Sequence, residues 1–533
     1  MRIPNRFCFT LALAACLTGV AGSTWSTDQL ATLAVPWPTT AWQASAPEAQ
    51  GMASDALRRV VEYGAQNEMD SLLVVRHGKL VVDAYYAPYR ADVKHSIYSA
   101  TKAVVGTLTG IAVKDGLLQS ISQPAMNFFH DQPVAAVDAD RRNAIHIEHL
   151  LDMTSGISWD ERFSNAQSSS DQMRLSPNWT HFVLDRPVVR APGASFDYNT
   201  GNAHLLSAIL SKVTGASAAE FATQRLFKPL GISDFVWTAD PQGISDGGSG
   251  LYMYPRDMAK FGYLYLHNGE WQGQALLPPE WTDKVFHHAT ADMQLDKPST
   301  LRFANGWWTK PDRHLIIAVG RNTDLILVLP ELDLVAVVTG KSVLRFGALV
   351  NLLEAAAVSD LALPANPKSF AELTRAVRGA ATEKASPVPP TPAMARKISG
   401  RVYRFERNAQ GLSTLRLDLT AANPQYELDF NPGNPLLTGS IRLTGPVGLH
   451  GLFRTNENGV GPLRAVKAYW TDSSTLSLDS QWLSDGISDR YSLRFGDNAV
   501  DAEYTDSHGE KVQRHGVSVP LRNGHAPQSR SHP

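Results

Sequence analysis

The sequence predicts an α+β body followed by a separate all-β body, the latter a sandwich or a barrel. Short strand-like runs stand at both ends of residues 53–373, with helix-like stretches between them. After residue 395, apolar and polar residues alternate with period two in several short segments separated by Gly, Asn, Asp and Pro. A stretch rich in Pro and Ala lies between the two patterns, as expected of an interdomain linker.

The elements of the α+β body follow from local patterns. Ser71–Val75 and Lys79–Tyr85 are predicted to be strands joined by a tight turn. Thr101–Lys114 has a helical pattern that Asp115 and a glycine end. Three apolar runs predict neighbouring antiparallel strands: Ile316–Val319, Leu325–Leu329 and Leu334–Val338. Because strands occur near both ends of the body, its sheet is expected to be completed by distant parts of the chain.

These patterns divide the chain into six predicted segments. They are an export signal at 1–22, a tether or strap at 23–49, the α+β body at 50–376, a linker at 377–394, the all-β body at 395–521 and a disordered tail at 522–533.

Composition limits the classes of function. Hydrophobic residues make up 43% of the 533-residue chain and charged residues 19%, so a large core can form. Lys and Arg number 49 against 51 Asp and Glu, a formal net charge of -2. This balance argues against a nucleic-acid-binding protein, which normally carries a basic excess.

The N-terminus has the pattern of a secretory signal. Two arginines precede an uncharged apolar run at residues 7–20, which is too short for a permanent transmembrane helix. The protein is therefore expected to be exported, to the periplasm or to the medium. Two processing routes stay open: ordinary cleavage near Ala21, or acylation of Cys16, whose surroundings resemble a bacterial lipobox and would anchor the protein to the membrane. Cys8 and Cys16 are the two cysteines of the sequence. Cleavage beyond residue 16 would remove both and leave no disulfide.

The candidate chemistry begins at the helix Thr101–Lys114. Ser99 and Lys102 are three residues apart, so the hydroxyl and the amine can meet on one helix face. A serine hydroxyl becomes a good nucleophile only when a base takes its proton, and an amine can be that base when its surroundings lower its pKa. Taken alone, the spacing is also compatible with a helix cap and a surface lysine.

Tyr98–Lys102 resembles the nucleophile motif of the serine β-lactamase and penicillin-binding-protein superfamily. The branch it resembles contains class C β-lactamases, esterases and 6-aminohexanoate-dimer hydrolases. Further similar segments follow in the same order between Met52 and Leu352, and they include His149–Gly156, Phe196–Asn199, Phe227–Ile232 and Gly250–Met253. The resemblance implies a β-lactamase-like fold, an antiparallel sheet flanked by helices plus an all-helical part.

The resemblance also implies roles for single residues. Ser99 would be the acylated nucleophile, Lys102 its proton acceptor and Tyr198 the relay to the leaving group. Thr200 stands where the family has an amide that contacts substrate, and Asn199 or Asn202 are alternatives for that contact.

The third family motif corresponds here to the segment Gly320–Thr323. Arg321, Asn322 and Thr323 would contact substrate, and Arg321 keeps the positive charge of the family motif. The resemblance implies that the oxyanion is held by the Ser99 N–H and by a second N–H near Asp324. The alternative for Arg321 is a surface cation in a turn.

Other catalytic motifs are missing from the sequence. It contains no His-Glu-x-x-His zinc motif and no phosphate-binding glycine loop. The run Gly247–Gly250 is interpreted as a flexible loop.

The resulting hypothesis is an exported serine hydrolase with no metal or cofactor, which cleaves a small ester, amide or peptide-like substrate through an acyl-enzyme. The alternatives are a β-lactamase or D-amino-acid peptidase, or a catalytically impaired penicillin-binding-like protein that binds cell wall or a partner.

Overall fold

The computed structural model describes residues 37–519, except 133–137, 162–167, 290, 297–298, 343–345, 409–410, 432–440, 458, 460–461 and 508. The predicted signal at 1–22 with both cysteines, the first part of the tether and the tail at 522–533 lie outside the described residues. The boundaries of the six predicted segments remain predictions.

The first body mixes strands and helices. Its strands are β1 (Gln43–Ala44), β2 (Met69–Arg76), β3 (Lys79–Tyr85), β4 (His95–Ser96), β5 (Val236–Trp237), β6 (Leu251–Met253), β7 (Glu270–Trp271), β8 (Gln274–Ala275), β9 (Ala291–Asp296), β10 (Ser299–Ala304), β11 (Trp307–Lys310), β12 (Leu315–Val319), β13 (Leu325–Leu329) and β14 (Leu334–Gly340). Its helices are α1 (Ser54–Gln66), α2 (Thr101–Lys114), α3 (Ala139–Asn143), α4 (Ile147–Leu151), α5 (Ser169–Leu175), α6 (Trp179–Leu184), α7 (Thr200–Thr214), α8 (Ala218–Ala222), α9 (Lys228–Leu230), α10 (Pro255–Leu266), α11 (Pro279–His287), α12 (Phe346–Ala356) and α13 (Pro367–Ala380).

Strands from both ends of this body form one sheet. Within the described ranges its order is β1-β3-β2-β14-β13-β12-β11-β10-β9, and all pairs are antiparallel except β1 with β3. The join between the early and the late strands is β14 beside β2, where Val337 lies opposite Leu73. The prediction that distant parts of the chain complete the sheet is therefore confirmed.

The central strands are apolar on both faces because both faces are covered. Leu72 and Val74 pack into one hydrophobic cluster together with Leu57 of α1 and Leu353 of α12. Leu73 and Val75, on the opposite face, belong to a second cluster that also contains residues of α2, α7 and α10. The sheet thus lies between a layer formed by α1, α12 and α13 and the helical part of the body.

Helix α2 has the bounds predicted from the sequence and ends before Asp115. Its residues are buried over almost its whole length, so its position is set by tertiary packing on several sides. At Gly106, a Cβ atom would lie 2.1 Å from the Asn305 carbonyl oxygen, so only glycine permits this close approach of the β10–β11 turn.

Residues 37–49 form a strap along the first body. Trp42 Nε1 donates to the carbonyl of Arg256 at 2.9 Å, and Trp271 Nε1 donates to Thr39 Oγ1 at 2.8 Å. β1 adds a short parallel edge to β3.

The second body is built from antiparallel strands, which confirms the all-β prediction. They are β15 (Val402–Phe405), β16 (Leu412–Asp418), β17 (Gln425–Phe430), β18 (Ile441–Pro446), β19 (Arg454–Thr455), β20 (Arg464–Trp470), β21 (Thr475–Trp482), β22 (Ile487–Phe495), β23 (Ala499–Thr505) and β24 (Lys511–Val519), preceded by α14 (Met394–Ile398). In the described part of this body the order is β18-β17-β16-β15-β24-β23-β22-β21-β20-β19. The edges approach each other, since a Cβ on Gly445 of β18 would lie 2.6 Å from Asn456, next to β19. The sheet is a nearly closed barrel.

The predicted linker at 377–394 is partly helical. Its first residues belong to α13, which ends at Ala380. Further along, the Glu383 carboxylate accepts a hydrogen bond from the Phe453 backbone N–H at 2.9 Å, and the Ser386 N–H donates to the Gly451 carbonyl at 3.2 Å. Hydrogen bonds therefore attach this segment to the β body before the first strand of that body begins.

No helix in the described ranges is long and apolar enough to cross a bilayer. Among the same residues, no group of three or more His, Cys, Asp and Glu side chains could hold a metal ion.

A buried ionic network connects the central sheet to the start of β4. His95 Nε2 lies 3.1 Å from Asp70 Oδ2, and its Nδ1 lies 3.3 Å from Asp324 Oδ1. Lys341 Nζ lies 2.7 Å from Asp70 Oδ1. Burial alone would raise the pKa of Asp70, but Lys341 and His95 outweigh it and lower that pKa.

Burial alone would also lower the pKa of His95, but the carboxylates of Asp324 and Asp70 outweigh it and raise this pKa to about 9. Burial raises the pKa of Asp324 to about 8, with Asp70 adding to the shift and His95 opposing it. Both groups therefore hold a proton more tightly in the folded protein than in the unfolded chain.

We expect stability to fall as the pH rises from 6.5 to 9. The pKa of His95 is raised from 6.5 to about 9, so its contribution is complete below pH 6.5 and is lost as the pH rises through 9. A shift of that size corresponds to roughly 3 kcal/mol of unfolding free energy. The raised pKa of Asp324 acts in the same direction, because its neutral form is favoured in the folded state.

Urea unfolding at a series of pH values measures this effect. Asp324→Asn removes a group whose own raised pKa adds to the decline and which faces His95 at 3.3 Å, so the decline should become smaller. His287→Gln, at an exposed histidine, should leave the decline unchanged. An equally steep decline in Asp324→Asn would contradict the assignment.

Candidate active site

The predicted nucleophile, Ser99, lies in a tight turn between β4 and α2. The turn is the 3-10 helix Tyr98–Ala100, which leads directly into α2. The Ile97 N–H donates to the Leu251 carbonyl at 2.9 Å and so fixes the turn to β6. Tyr98 has φ 43°, a left-handed conformation that costs a residue other than glycine roughly 1–2 kcal/mol. Local strain of this kind is frequent at functional sites.

Lys102 is brought to Ser99 by the first turn of α2. Its Nζ lies 3.0 Å from Ser99 Oγ and donates to the Gly248 carbonyl oxygen at 2.9 Å. Only 2% of the Lys102 side chain is exposed, whereas Ser99 is half-buried. The amine is thus held between the serine hydroxyl and a backbone carbonyl, away from bulk water.

Tyr198 lies close to the Lys102 amine. Lys102 Nζ is 4.8 Å from the centroid of the Tyr198 ring. The ring stacks on Trp308 at a centroid distance of 5.9 Å and meets the edge of Phe303 at 6.2 Å. Aromatic residues of β10 and β11 therefore fix the orientation of the ring. The structure brings together the three residues predicted to be catalytic, and their catalytic roles stay predictions.

The loop that holds Gly248 is itself fixed. Asp246 Oδ1 accepts hydrogen bonds from the N–H groups of Gly248 at 2.8 Å and Ser249 at 3.2 Å. A Cβ on Gly247 would lie 2.1 Å from the Ala203 carbonyl oxygen, so this residue has to be glycine. The interpretation of Gly247–Gly250 as a flexible loop is wrong, because hydrogen bonds and close packing hold the loop in place.

The sequence analysis missed Gly248 and Asp246 as parts of the site. The available signal was an aspartate directly before a glycine run, since a carboxylate there can accept N–H bonds from the residues that follow it. That pattern shows a local turn but does not show which side chain the turn contacts.

Thr200 has a role different from the predicted substrate contact. Its N–H and its hydroxyl donate to the two carboxylate oxygens of Glu161, at 2.7 and 3.0 Å. Glu161 thereby caps the N-terminus of α7, where a negative charge is favourable. Trp159 Nε1 also donates to Glu161. The sequence analysis did not identify Glu161 as part of this region.

The two asparagines that were alternatives to Thr200 are also engaged. Asn199 is the N-cap of α7, and its Oδ1 accepts from the Asn202 N–H at 3.0 Å. Asn202 Oδ1 accepts from the Ser155 hydroxyl at 2.8 Å. Both side chains are buried and stabilise the start of α7. Tyr198 lies two residues before the first residue of this helix.

The third-motif residues divide into two groups. Arg321 is exposed, with its guanidinium carbon 5.7 Å from the centroid of the Tyr98 ring, and Asn322 is half-buried beside it. Thr323 is fully buried, and its hydroxyl donates to the Ser342 carbonyl. Arg321 and Asn322 therefore lie next to the nucleophile turn, whereas the side chain of Thr323 is directed away from it.

The N–H of Asp324, near which the second oxyanion donor is predicted, lies within a turn. The Asp324 N–H is directed to the Arg321 carbonyl oxygen at 3.4 Å, within a turn that is closed by the Gly320 N–H and the Asp324 carbonyl at 2.6 Å. The Asp324 side chain lies in the buried network with His95.

The sequence of this chain is similar to those of known proteins. A family model described as β-lactamase matches residues 56–354, more than half of the chain. The 6-aminohexanoate-dimer hydrolase of Paenarthrobacter ureafaciens is 23% identical over 285 residues, which cover 50% of this chain and 71% of that protein. Protein flp of Staphylococcus aureus is 24% identical over 277 residues, which cover 47% of this chain and 54% of flp.

Among solved structures, a Bacillus anthracis protein assigned as a 6-aminohexanoate-dimer hydrolase aligns with a TM-score of 0.52 at 20% identity. The alignment covers 60% of this chain and 88% of that structure, and it supports the fold. The matched segment of the sequence contains Ser99, Lys102 and Tyr198. The chain belongs to the β-lactamase family of the serine β-lactamase and penicillin-binding-protein superfamily.

Proposed function

We propose that the protein is an exported serine hydrolase that cleaves a small ester or amide through an acyl-enzyme on Ser99. The observation that carries the proposal is the 3.0 Å contact between Lys102 Nζ and Ser99 Oγ. A hydroxyl and an amine at hydrogen-bond distance, with the ring of a tyrosine over the same amine, bring together the groups needed for a nucleophile, a base and a relay.

The reaction has two steps. Ser99 Oγ attacks the carbonyl carbon of the substrate while its proton passes to the Lys102 amine, and the carbonyl oxygen becomes an oxyanion. The bond to the leaving alcohol or amine then breaks as Tyr198 gives its hydroxyl proton to that group and takes up the proton that Lys102 accepted, so both side chains return to their starting state. Water attacks the acyl carbon in the second step, which releases the acid and restores the Ser99 hydroxyl.

Two features favour an ester or amide over a β-lactam as the substrate. Thr200 replaces the amide of the second family motif, and its hydroxyl is bonded to Glu161. The third motif has Arg321 and Asn322 in place of the Lys-Thr-Gly pattern. One relative is named for the hydrolysis of 6-aminohexanoate dimer.

Burst labelling of the full chain with an activated ester tests the nucleophile. We expect one acyl group per wild-type molecule and none on Ser99→Ala, whereas Ser120→Ala, at an exposed serine, should label like the wild type. An adduct of the same mass and yield on Ser99→Ala would disprove the assignment. A wild-type protein that reacts with neither the ester, a fluorophosphonate nor penicillin but binds cell-wall fragments would favour the binding-protein alternative.

Export is supported by the arginines and the apolar run of the first 20 residues. We expect expression in a bacterial host to yield a shortened chain outside the cytoplasm, as shown by fractionation and intact mass. If Cys16 is acylated, Cys16→Ser should abolish membrane association, and if cleavage occurs near Ala21 the mature mass should be unchanged. A full-length chain that stays in the cytoplasm would contradict the proposal.

A further inference from the structure

The turn between β21 and β22 projects from the β body and contacts the residues directly before Ser99. This turn, Leu483–Gly486, is called the β21–β22 turn below. Leu483 is 1% exposed and packs in the hydrophobic cluster of the first body that contains α2. The Ser484 carbonyl accepts a hydrogen bond from the Ser96 N–H at 2.6 Å, three residues before Ser99.

The β21–β22 turn also holds two tyrosines of the first body. The Tyr98 hydroxyl donates to the Asp485 carbonyl oxygen at 2.7 Å, and the Tyr252 hydroxyl donates to Asp485 Oδ1 at 2.9 Å. Burial raises the pKa of Tyr98, so its hydroxyl keeps the proton that it donates. Tyr98 is directly before Ser99 and has the left-handed φ of 43°.

The same turn reaches the third motif. Asn322 Nδ2 donates to the Gly486 carbonyl oxygen at 3.4 Å, and Asn322 has φ 63°. One turn of the β body therefore contacts two residues that both hold a left-handed backbone beside the nucleophile. This conformation is unfavourable for Tyr98, which therefore needs fixed partners to keep it, whereas asparagine adopts it more readily.

Gly486 allows the turn to come this close. It has φ 56°, and a Cβ there would lie 2.8 Å from both His95 Cε1 and Nε2 and 2.9 Å from the Gly340 carbonyl oxygen. His95 is fully buried and held by Asp70, so it cannot give way easily. A side chain at position 486 would push the turn away from Tyr98.

We propose that the β21–β22 turn is part of the active site, in which it positions Tyr98 and Asn322 and thereby keeps Ser99 in the geometry needed for acylation. The proposal rests on the proposed serine-hydrolase function. Tyr98 and Asn322 act here as positioning residues, and the β body supplies the atoms that hold them.

The test compares two variants that loosen the turn with one matched control. Gly486→Ala displaces the turn, and Tyr98→Phe removes only the hydroxyl that donates to Asp485. Gly496→Ala is the control, since Gly496 lies in the next turn of the same sheet and its Cβ would find its nearest neighbour at 3.9 Å.

Two measurements are made on the full chain. Hydrogen exchange of the peptide 95–102 should increase in Gly486→Ala and Tyr98→Phe and stay at the wild-type level in Gly496→Ala. The acylation rate constant with an activated ester should fall about tenfold or more in Gly486→Ala and by a smaller factor in Tyr98→Phe, with KM little changed. The double variant should acylate no more slowly than Gly486→Ala, because both changes act on one contact.

Unchanged exchange at 95–102 in both variants would overturn the inference, and so would increased exchange with a wild-type acylation rate. If Gly486→Ala does not fold, Tyr98→Phe decides by the same two criteria. Failure of the proposed function is recognised separately, because it would appear as a wild-type protein without labelling at Ser99, while the exchange measurement does not depend on activity.

Discussion

The site depends on where the Lys102 amine is held. Its nitrogen lies 3.0 Å from Ser99 Oγ, 2.9 Å from the Gly248 carbonyl oxygen and 4.8 Å from the centroid of the Tyr198 ring. A buried amine is costly unless polar partners surround it. The carbonyl, the hydroxyl and the ring face supply those partners, and each of them comes from a different segment of the chain.

The rest of the fold fixes the relative positions of these segments. Helix α2 directly follows the 3-10 turn that holds Ser99 and has Lys102 in its first turn, and it is buried over almost its whole length. The Gly248 carbonyl is presented by a turn that Asp246 closes and that fits against α7 only because residue 247 is glycine. Tyr198 comes directly before the N-cap of α7, whose start is fixed by Asn199 and Glu161.

The turn that holds Ser99 is also fixed by the second body, through the hydrogen bond from the Tyr98 hydroxyl to the Asp485 carbonyl oxygen. The site is therefore a product of both bodies.

Local patterns predicted what local physics determines. The bounds of α2 followed from periodicity and a stop signal, and the meeting of Ser99 with Lys102 followed from their spacing of three residues. Contacts between distant segments could not be predicted in this way. Gly248 is 146 residues from Lys102, and Asp485 is 387 residues from Tyr98, and apolar patterning shows that a face is buried without showing what covers it. Thr323 was misplaced for a related reason. The motif match gives no sign that residues 320–324 form a closed turn, in which the Thr323 hydroxyl bonds to the distant Ser342 carbonyl.

The rate of single-turnover acylation in Lys102→Met tests the central claim most directly. Methionine keeps much of the apolar stem of lysine and removes the amine, so the pocket between Ser99 and Tyr198 stays filled. Lys114→Met is the matched control, because Lys114 lies on the same helix and is exposed at its C-terminal end. We predict that Lys102→Met acylates about 10²–10⁴-fold more slowly than the wild type, the range for loss of a general base, and that Lys114→Met is unaffected. A folded Lys102→Met protein that acylates within about threefold of the wild type, well below that range, would contradict the account.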